Sequence, residues 1–221
     1  MAKLYFRYGA MNSGKSTALL QAAFNYLERG QQVLLAKPAV DLKGDRNIVS
    51  RLGVERPVDF TVGPVDDLLE RFFAHRATVL ARTGSPVACL LVDEAQFLSD
   101  EQVDDLLRIV VVQEVPVLAY GIRTDFRTIA FPGSRRLLEV AHVIEELRTI
   151  CRCGRKAIFN ARRIGDRFVF DGAQVAIDDQ DDVSYEALCA QCYLAESGGL
   201  LSGGRIVGGF AHSSGPDPDF A

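Results

Sequence analysis

The run VACLLVDE, residues 87–94, limits the possible folds more than any other stretch of this chain. Six unbroken apolar residues followed by two acids predict a strand buried on both faces, the environment of a parallel sheet. VPVLAYGI at 115–122 has the same character. KLYFRY (3–8) reads as a further strand. Lys15–Arg29 reads as a helix, with Leu19, Leu20, Ala23 and Leu27 at helical spacing and Gly30 as its stop. QQVLLAKP is a strand closed by Pro38, 39–64 is polar and irregular, and Asp66–His75 suggests a helix. Ser99 with Gln102 three residues on predicts a capping box and another helix. Strands alternating with helices define an α/β fold around a parallel sheet.

The first strand-to-helix junction carries chemistry. Gly9, Ala10, Met11, Asn12, Ser13, Gly14, Lys15 and Ser16 satisfy G-x-x-x-x-G-K-[ST] between a strand and a helix, the context that motif requires. Backbone N–H groups of such a loop turn toward phosphate oxygens, and the helix N-terminus adds partial positive charge. Lys15 is expected at the β/γ-phosphates and Ser16 on Mg²⁺, so the ligand is a nucleoside triphosphate, with ATP the expected one. In LLVDEAQF, 90–97, Asp93 ends an apolar strand and is placed to hold Mg²⁺. Glu94 is placed to accept a proton from a nucleophile, or is a solvated strand-end carboxylate.

Asp-Glu-Ala-Gln also resembles a helicase motif, in which the acid activates water. A helicase needs a second motor lobe and a groove for its strand. Only about 70 residues follow position 150, and they carry cysteines. The 25 basic and 29 acidic residues leave a net charge of −4, without the basic excess of a nucleic-acid binder. A small-molecule kinase is the favoured reading. A nucleic-acid-stimulated ATPase and a non-catalytic nucleotide-binding protein are the alternatives, and no nucleic-acid partner is expected. No apolar run approaches the ~20 residues of a membrane helix. Lys3 and Arg7 interrupt the N-terminus, which lacks a signal-peptide core. The expectation is a soluble, cytoplasmic protein with no membrane partner, whose five cysteines are metal ligands or free thiols.

Cys151-x-Cys153, 35 residues, then Cys189-x-x-Cys192 has the pattern of a four-sulfur structural zinc site, or else of unrelated or redox thiols. Between the pairs, AIFNARRI-GD-RFVFDG looks like a β-hairpin. Cys89, in VACLLV, reads as a core residue. The expected organisation is a P-loop α/β domain at 1–149, a small zinc-binding hairpin domain at 150–196, and a flexible tail at 197–221 with seven glycines.

Taken in order, GAMNSGKST, KPAVD, VDEAQF, YGIRTDFR, TICRCGRKA and YEALCAQC are similar to the zinc-containing thymidine kinases, over residues 1 to about 195. The resemblance implies a RecA-like P-loop domain followed by a lasso domain. It implies transfer of the γ-phosphoryl of ATP to the 5′-hydroxyl of thymidine, a homotetramer, and feedback by thymidine triphosphate. Glu94 matches the general base. The P-loop residues, Asp93, Glu94, Ala95 and Gln96 match ATP and Mg²⁺ contacts. Asp41 and Lys43 fall where the family has Asp-x-Arg, although lysine lacks the bidentate fork of arginine. Phe126 matches an aromatic that stacks on thymine, with Phe131 supporting it; the alternative for both is a core aromatic. Met11 and Ile122 fall around the thymine methyl. The lasso corresponds to Gln174, Val175, Ala176, Ile177 and Asp178, with Tyr185 before the last cysteines. Here the chain departs from the family, with Asp178-Asp179 in place of Gly-Gly and a loop about two residues longer.

Overall fold

Six strands lie side by side and all run one way in a computed structural model, which describes residues 1–39, 47–50, 53–172, 174 and 183–201. In chain order the first elements are β1 (Leu4–Tyr8), α1 (Lys15–Glu28), β2 (Gln32–Pro38), β3 (Asn47–Val49), β4 (Glu55–Pro57), β5 (Phe60–Val62) and α2 (Leu68–Thr83). They are followed by β6 (Val87–Val92), α3 (Asp100–Gln113), β7 (Val117–Gly121), α4 (Pro132–Val140) and β8 (Val143–Glu146). The sheet order is β5-β2-β6-β7-β1-β8, and each pairing is parallel. The apolar runs are buried as their composition requires: Leu90, Leu91 and Val92 of β6 are fully buried, and Leu90 and Val92 pack with Leu4, Phe6 and Leu34. Leu106 and Ile109 of α3 close over the same core.

Two sequence expectations need correction. Residues 39–64 are not wholly irregular: β3 and β4 form an antiparallel pair, and β5 extends the sheet edge with Phe60 and Val62 buried. Asp59 fixes that edge, because its backbone N–H donates to the Leu35 carbonyl while its carboxylate accepts from the Leu35 N–H. The helix expected over Asp66–His75 continues to Thr83. Thr78 and Val79 are β-branched and lower helix propensity, but Val79 packs into the core and the Thr78 hydroxyl donates to the Ala74 carbonyl. Tertiary packing outweighs the few tenths of a kcal/mol that propensity withholds. Asp41 and Lys43 lie outside the described residues.

These strands and helices belong to one compact unit. A second unit gathers Gly9–Ser13, Arg123–Ala130 and the chain from Leu147 on. In it β9 (Thr149–Ile150) pairs antiparallel with β10 (Lys156–Ala157). A three-stranded antiparallel sheet has β11 (Phe159–Ile164) at its centre, flanked by β12 (Arg167–Val169) and β13 (Val183–Leu188). The Gly165-Asp166 turn joins β11 to β12. The helix α5 (Ala190–Glu196) follows. Ala161, Leu188 and Tyr193 form the core of this unit together with three buried cysteines. No helix among the described residues is long and apolar enough to cross a membrane.

The capping box at α3 is complete: Ser99 Oγ accepts from the Gln102 N–H and Gln102 Oε1 accepts from the Ser99 N–H. Gln102 also donates to the carbonyls of Gly63 and Asp66, so the cap ties α3 to the segment before α2. Ser99→Ala is expected to cost about 1 kcal/mol, the usual worth of a lost N-cap, read as a lower urea midpoint at unchanged slope.

Candidate active site and cysteine cluster

The phosphate-loop motif begins at Gly9, immediately after β1, and its Lys15 opens α1. Gly9 is there because nothing larger fits. A Cβ at that position would lie 2.3 Å from Ser13 Oγ and 2.4 Å from the Leu147 carbonyl oxygen. The turn closes through the Ser13 N–H, which donates to the Ala10 carbonyl. Ser13 Oγ is buried with no hydrogen-bond partner among the described residues. The Met11 N–H donates to Asn160 Oδ1 at 2.7 Å, and Asn160 Nδ2 donates to the Thr124 carbonyl at 3.2 Å. Lys15 is largely buried at the first turn of α1, and Ser16 donates to Asp93 Oδ2 at 3.2 Å.

Asp93 follows β6 and is 5% exposed. Burial, and then repulsion from the neighbouring Glu94 carboxylate, push it up to about 7. The Glu94 N–H, the Ser16 hydroxyl and the Lys15 charge oppose that shift. A hydroxyl and a carboxylate oxygen held this close suit a hard cation, which would offset the hydration that burial denies Asp93. Glu94 itself adopts a left-handed backbone, φ 48° and ψ 38°, at the head of a 3₁₀ turn over Ala95–Phe97. Left-handed conformations are uncommon for a non-glycine residue and cluster at functional turns. Gln96 Nε2 donates to Glu94 Oε2 at 2.5 Å. Ala95 and Gln96 are both buried beneath this turn. Ile122, which follows β7, is buried too.

Phe126 lies in the second unit and is 1% exposed. The Arg162 guanidinium sits 3.7 Å from its ring centroid, and Tyr193 donates to its carbonyl oxygen at 2.7 Å. Arg162 donates through Nε to the Tyr185 hydroxyl and through Nη2 to the Gln174 carbonyl. One ring face of Phe126 is therefore taken by a cation, and a stacking base would need the opposite face uncovered. Phe131 packs elsewhere in role: it precedes α4 and meets Phe97 edge-on at 5.5 Å, within the first unit. Val175, Ala176, Ile177 and Asp178 lie outside the described residues. Sequence reasoning missed Asn160 and Arg162. They lie two residues apart on β11 and so share one face, but their burial, which sets them apart from the other polar residues of the hairpin, leaves no mark on the sequence.

Cys151, Cys153, Cys189 and Cys192 come together, with all four Sγ atoms within 4.8 Å of one another. Sulfurs about 2.3 Å from a tetrahedral zinc stand roughly 3.8 Å apart, and Cys153 and Cys189 are 3.6 Å apart. The Cys192 N–H donates to Cys189 Sγ at 3.5 Å, a bond that also caps α5. Burial, together with the crowding of like thiols, raises Cys192 and Cys189. Burial also acts upward on Cys153, but the Arg155 N–H and the neighbouring thiols bring it down to about 7. The cluster can hold a structural metal ion. By contrast, a cavity of about 390 Å³ beside α2 and α3 is lined by Asp66, Asp67, Glu101, Asp104 and Asp105 with Arg108, a set with a net excess of acid that disfavours phosphate.

A parallel α/β sheet with this phosphate loop and strand-end acid pair, followed by a four-cysteine module able to hold a metal ion, defines a P-loop protein with a metal-site module. The thymidine kinase family model matches residues 2–193. A thymidine kinase of Ruegeria pomeroyi is 47% identical over 201 residues, covering 90% of this chain and 96% of that protein. Those of Legionella pneumophila and of Enterobacteria phage T4 are each 44% identical. They cover 93% and 86% of this chain and 96% and 94% of their own lengths. The chain belongs to the thymidine kinase family.

Burial of the Asp93 charge has a measurable cost. An asparagine there keeps an oxygen for the Glu94 N–H and an amide for Ser16, without the charge. Asp93→Asn is expected to raise the melting temperature of the ligand-free protein at pH 8 by about 2–4 °C, equivalent to ~1 kcal/mol. Turnover should fall by about 10²-fold or more.

Proposed function

We propose that the protein transfers the γ-phosphoryl group of ATP to the 5′-hydroxyl of thymidine. The observation that carries this reading is the strand-end pair, with a buried Asp93 bonded to Ser16 beside a Glu94 carboxylate held by Gln96, in a member of the thymidine kinase family. The 5′-oxygen attacks the γ-phosphorus, the bond to the β-phosphate oxygen breaks, and ADP leaves. Glu94 accepts the hydroxyl proton. Lys15 and the backbone of Gly9–Gly14 take the phosphates. Bound Mg²⁺, with Ser16 and Asp93 to hold it, would neutralise charge on the β- and γ-oxygens. Ala95 supports the turn, and Asp41 and Lys43 are assigned to the ATP side by resemblance.

Phe126, Met11, Ile122, Gln174, Tyr185 and residues 175–178 are assigned to the nucleoside. Residues 1–149 are read as the phosphate-binding domain and 150–196 as the zinc domain, in a cytoplasmic homotetramer. The sulfur-only donor set suits zinc over harder divalent ions.

Phosphorylation assays with thymidine, with single-stranded DNA, and with neither test the reading directly. Product and ADP should appear only with thymidine. Glu94→Gln should bind ATP and thymidine yet lose roughly 10²–10⁴-fold in turnover; near-wild-type turnover would remove Glu94 from its role. Elemental analysis of purified protein should find one zinc per chain. A value near zero, with all four clustered thiols titrating freely in the folded protein, sinks the metal site.

A further inference from the structure

Gln96 shares a motif with Asp93 and Glu94, and the resemblance groups it with the ATP contacts. Its surroundings point to a further role. The side chain is 1% exposed, and both ends of its amide are engaged. The Ile122 backbone N–H donates to Oε1 at 3.1 Å, and Nε2 donates to Glu94 Oε2 at 2.5 Å. This orientation is chemically forced. A backbone N–H can only donate, so the amide oxygen must face Ile122 and the NH₂ group must face the carboxylate.

The anchor is itself fixed. Ser134 is fully buried, and its hydroxyl donates to the Ile122 carbonyl at 2.5 Å. Gly121 leaves no slack on the other side: a Cβ there would lie 2.7 Å from Gln96 Oε1. A line of hydrogen bonds thus runs from Ser134 through Ile122 and Gln96 to Glu94. It ends on a residue whose left-handed backbone alone would not fix a three-torsion side chain.

We infer that Gln96 is a positioning residue for the general base. It holds one oxygen of the Glu94 carboxylate by a charge-assisted bond and leaves the other turned to the nucleophile. This rests on the reading of Glu94 as the base. A base displaced by an ångström forfeits up to about 10² in rate. The role therefore belongs to kcat and not to substrate affinity.

A double-mutant cycle tests it. Gln96→Met keeps the volume and removes both amide ends. It is expected to lower kcat by about 10–10²-fold, with KM for ATP and for thymidine within about threefold of wild type. In a Glu94→Gln background the same substitution should change kcat by less than about twofold, because the residue acts only through the group already removed. Met also leaves the Ile122 N–H unsatisfied, so Gln96→Glu is the second variant. It retains an acceptor for Ile122 and replaces the donor with a second carboxylate, and kcat should fall at least as far. Equal loss in both backgrounds overturns the inference, as does an unchanged kcat with a raised ATP KM. If Glu94→Gln turns over like wild type, the base reading falls and takes this one with it. If Glu94→Gln is impaired while both Gln96 variants keep wild-type kcat, only the positioning role falls.

Discussion

Parallel pairing is the constraint on which everything else in the first unit depends. When neighbouring strands run one way, their C-terminal ends open onto one edge of the sheet. β6, β7 and β1 are neighbours in that order. β6 delivers Asp93 and Glu94, β7 delivers Ile122, and β1 ends at Tyr8, directly before the phosphate loop. Side chains distant in sequence thereby come within hydrogen-bond range without a long loop to carry them. Ser16 reaches Asp93 across 77 positions and Ile122 reaches Gln96 across 26.

That edge is also where the structure departs from its most stable arrangement. Asp93 is a buried carboxylate pressed against a second one, and Glu94 sits in a backbone region that most residues avoid. Neither feature is needed to close the core, which is complete with Leu90, Val92, Leu106 and Ala119. On the proposed reading, both place acceptor oxygens where a cation and a hydroxyl proton would meet them. The surrounding apolar strands hold the chain in this state at a cost that the rest of the core offsets.

Much of this was legible in the sequence, for identifiable reasons. β6 is readable because a run without a single polar residue admits few other environments, and α3 because Ser99 and Gln102 sit three apart. The phosphate loop and the cysteine pairs are legible because their chemistry demands fixed spacings. The short strands within 39–64 were not, because β3, β4 and β5 are three residues each, too few for a period to show. The second half of α2 was hidden by its β-branched residues, whose burial only the tertiary structure reveals. Arg162 reads as one arginine among several in a hairpin, and nothing local says that it covers the ring of Phe126. The positioning of Glu94 was partly visible as a motif, but the partner of Gln96 is a backbone N–H, and backbone groups leave no mark on sequence.

The placement of β1 also fixes an order of events at the ribosome. This strand is synthesised well before both of its sheet neighbours: it pairs with β7, beginning at Val117, and with β8, ending at Glu146. Until then its N–H and C=O groups have no partners in the sheet. The residues just beyond it wait longer still, since the Met11 N–H finds its acceptor in Asn160, 149 positions away. Such distant contacts carry the largest loop-closure cost and form late. The segment that begins the phosphate loop is thus synthesised well before the residues that fix its shape.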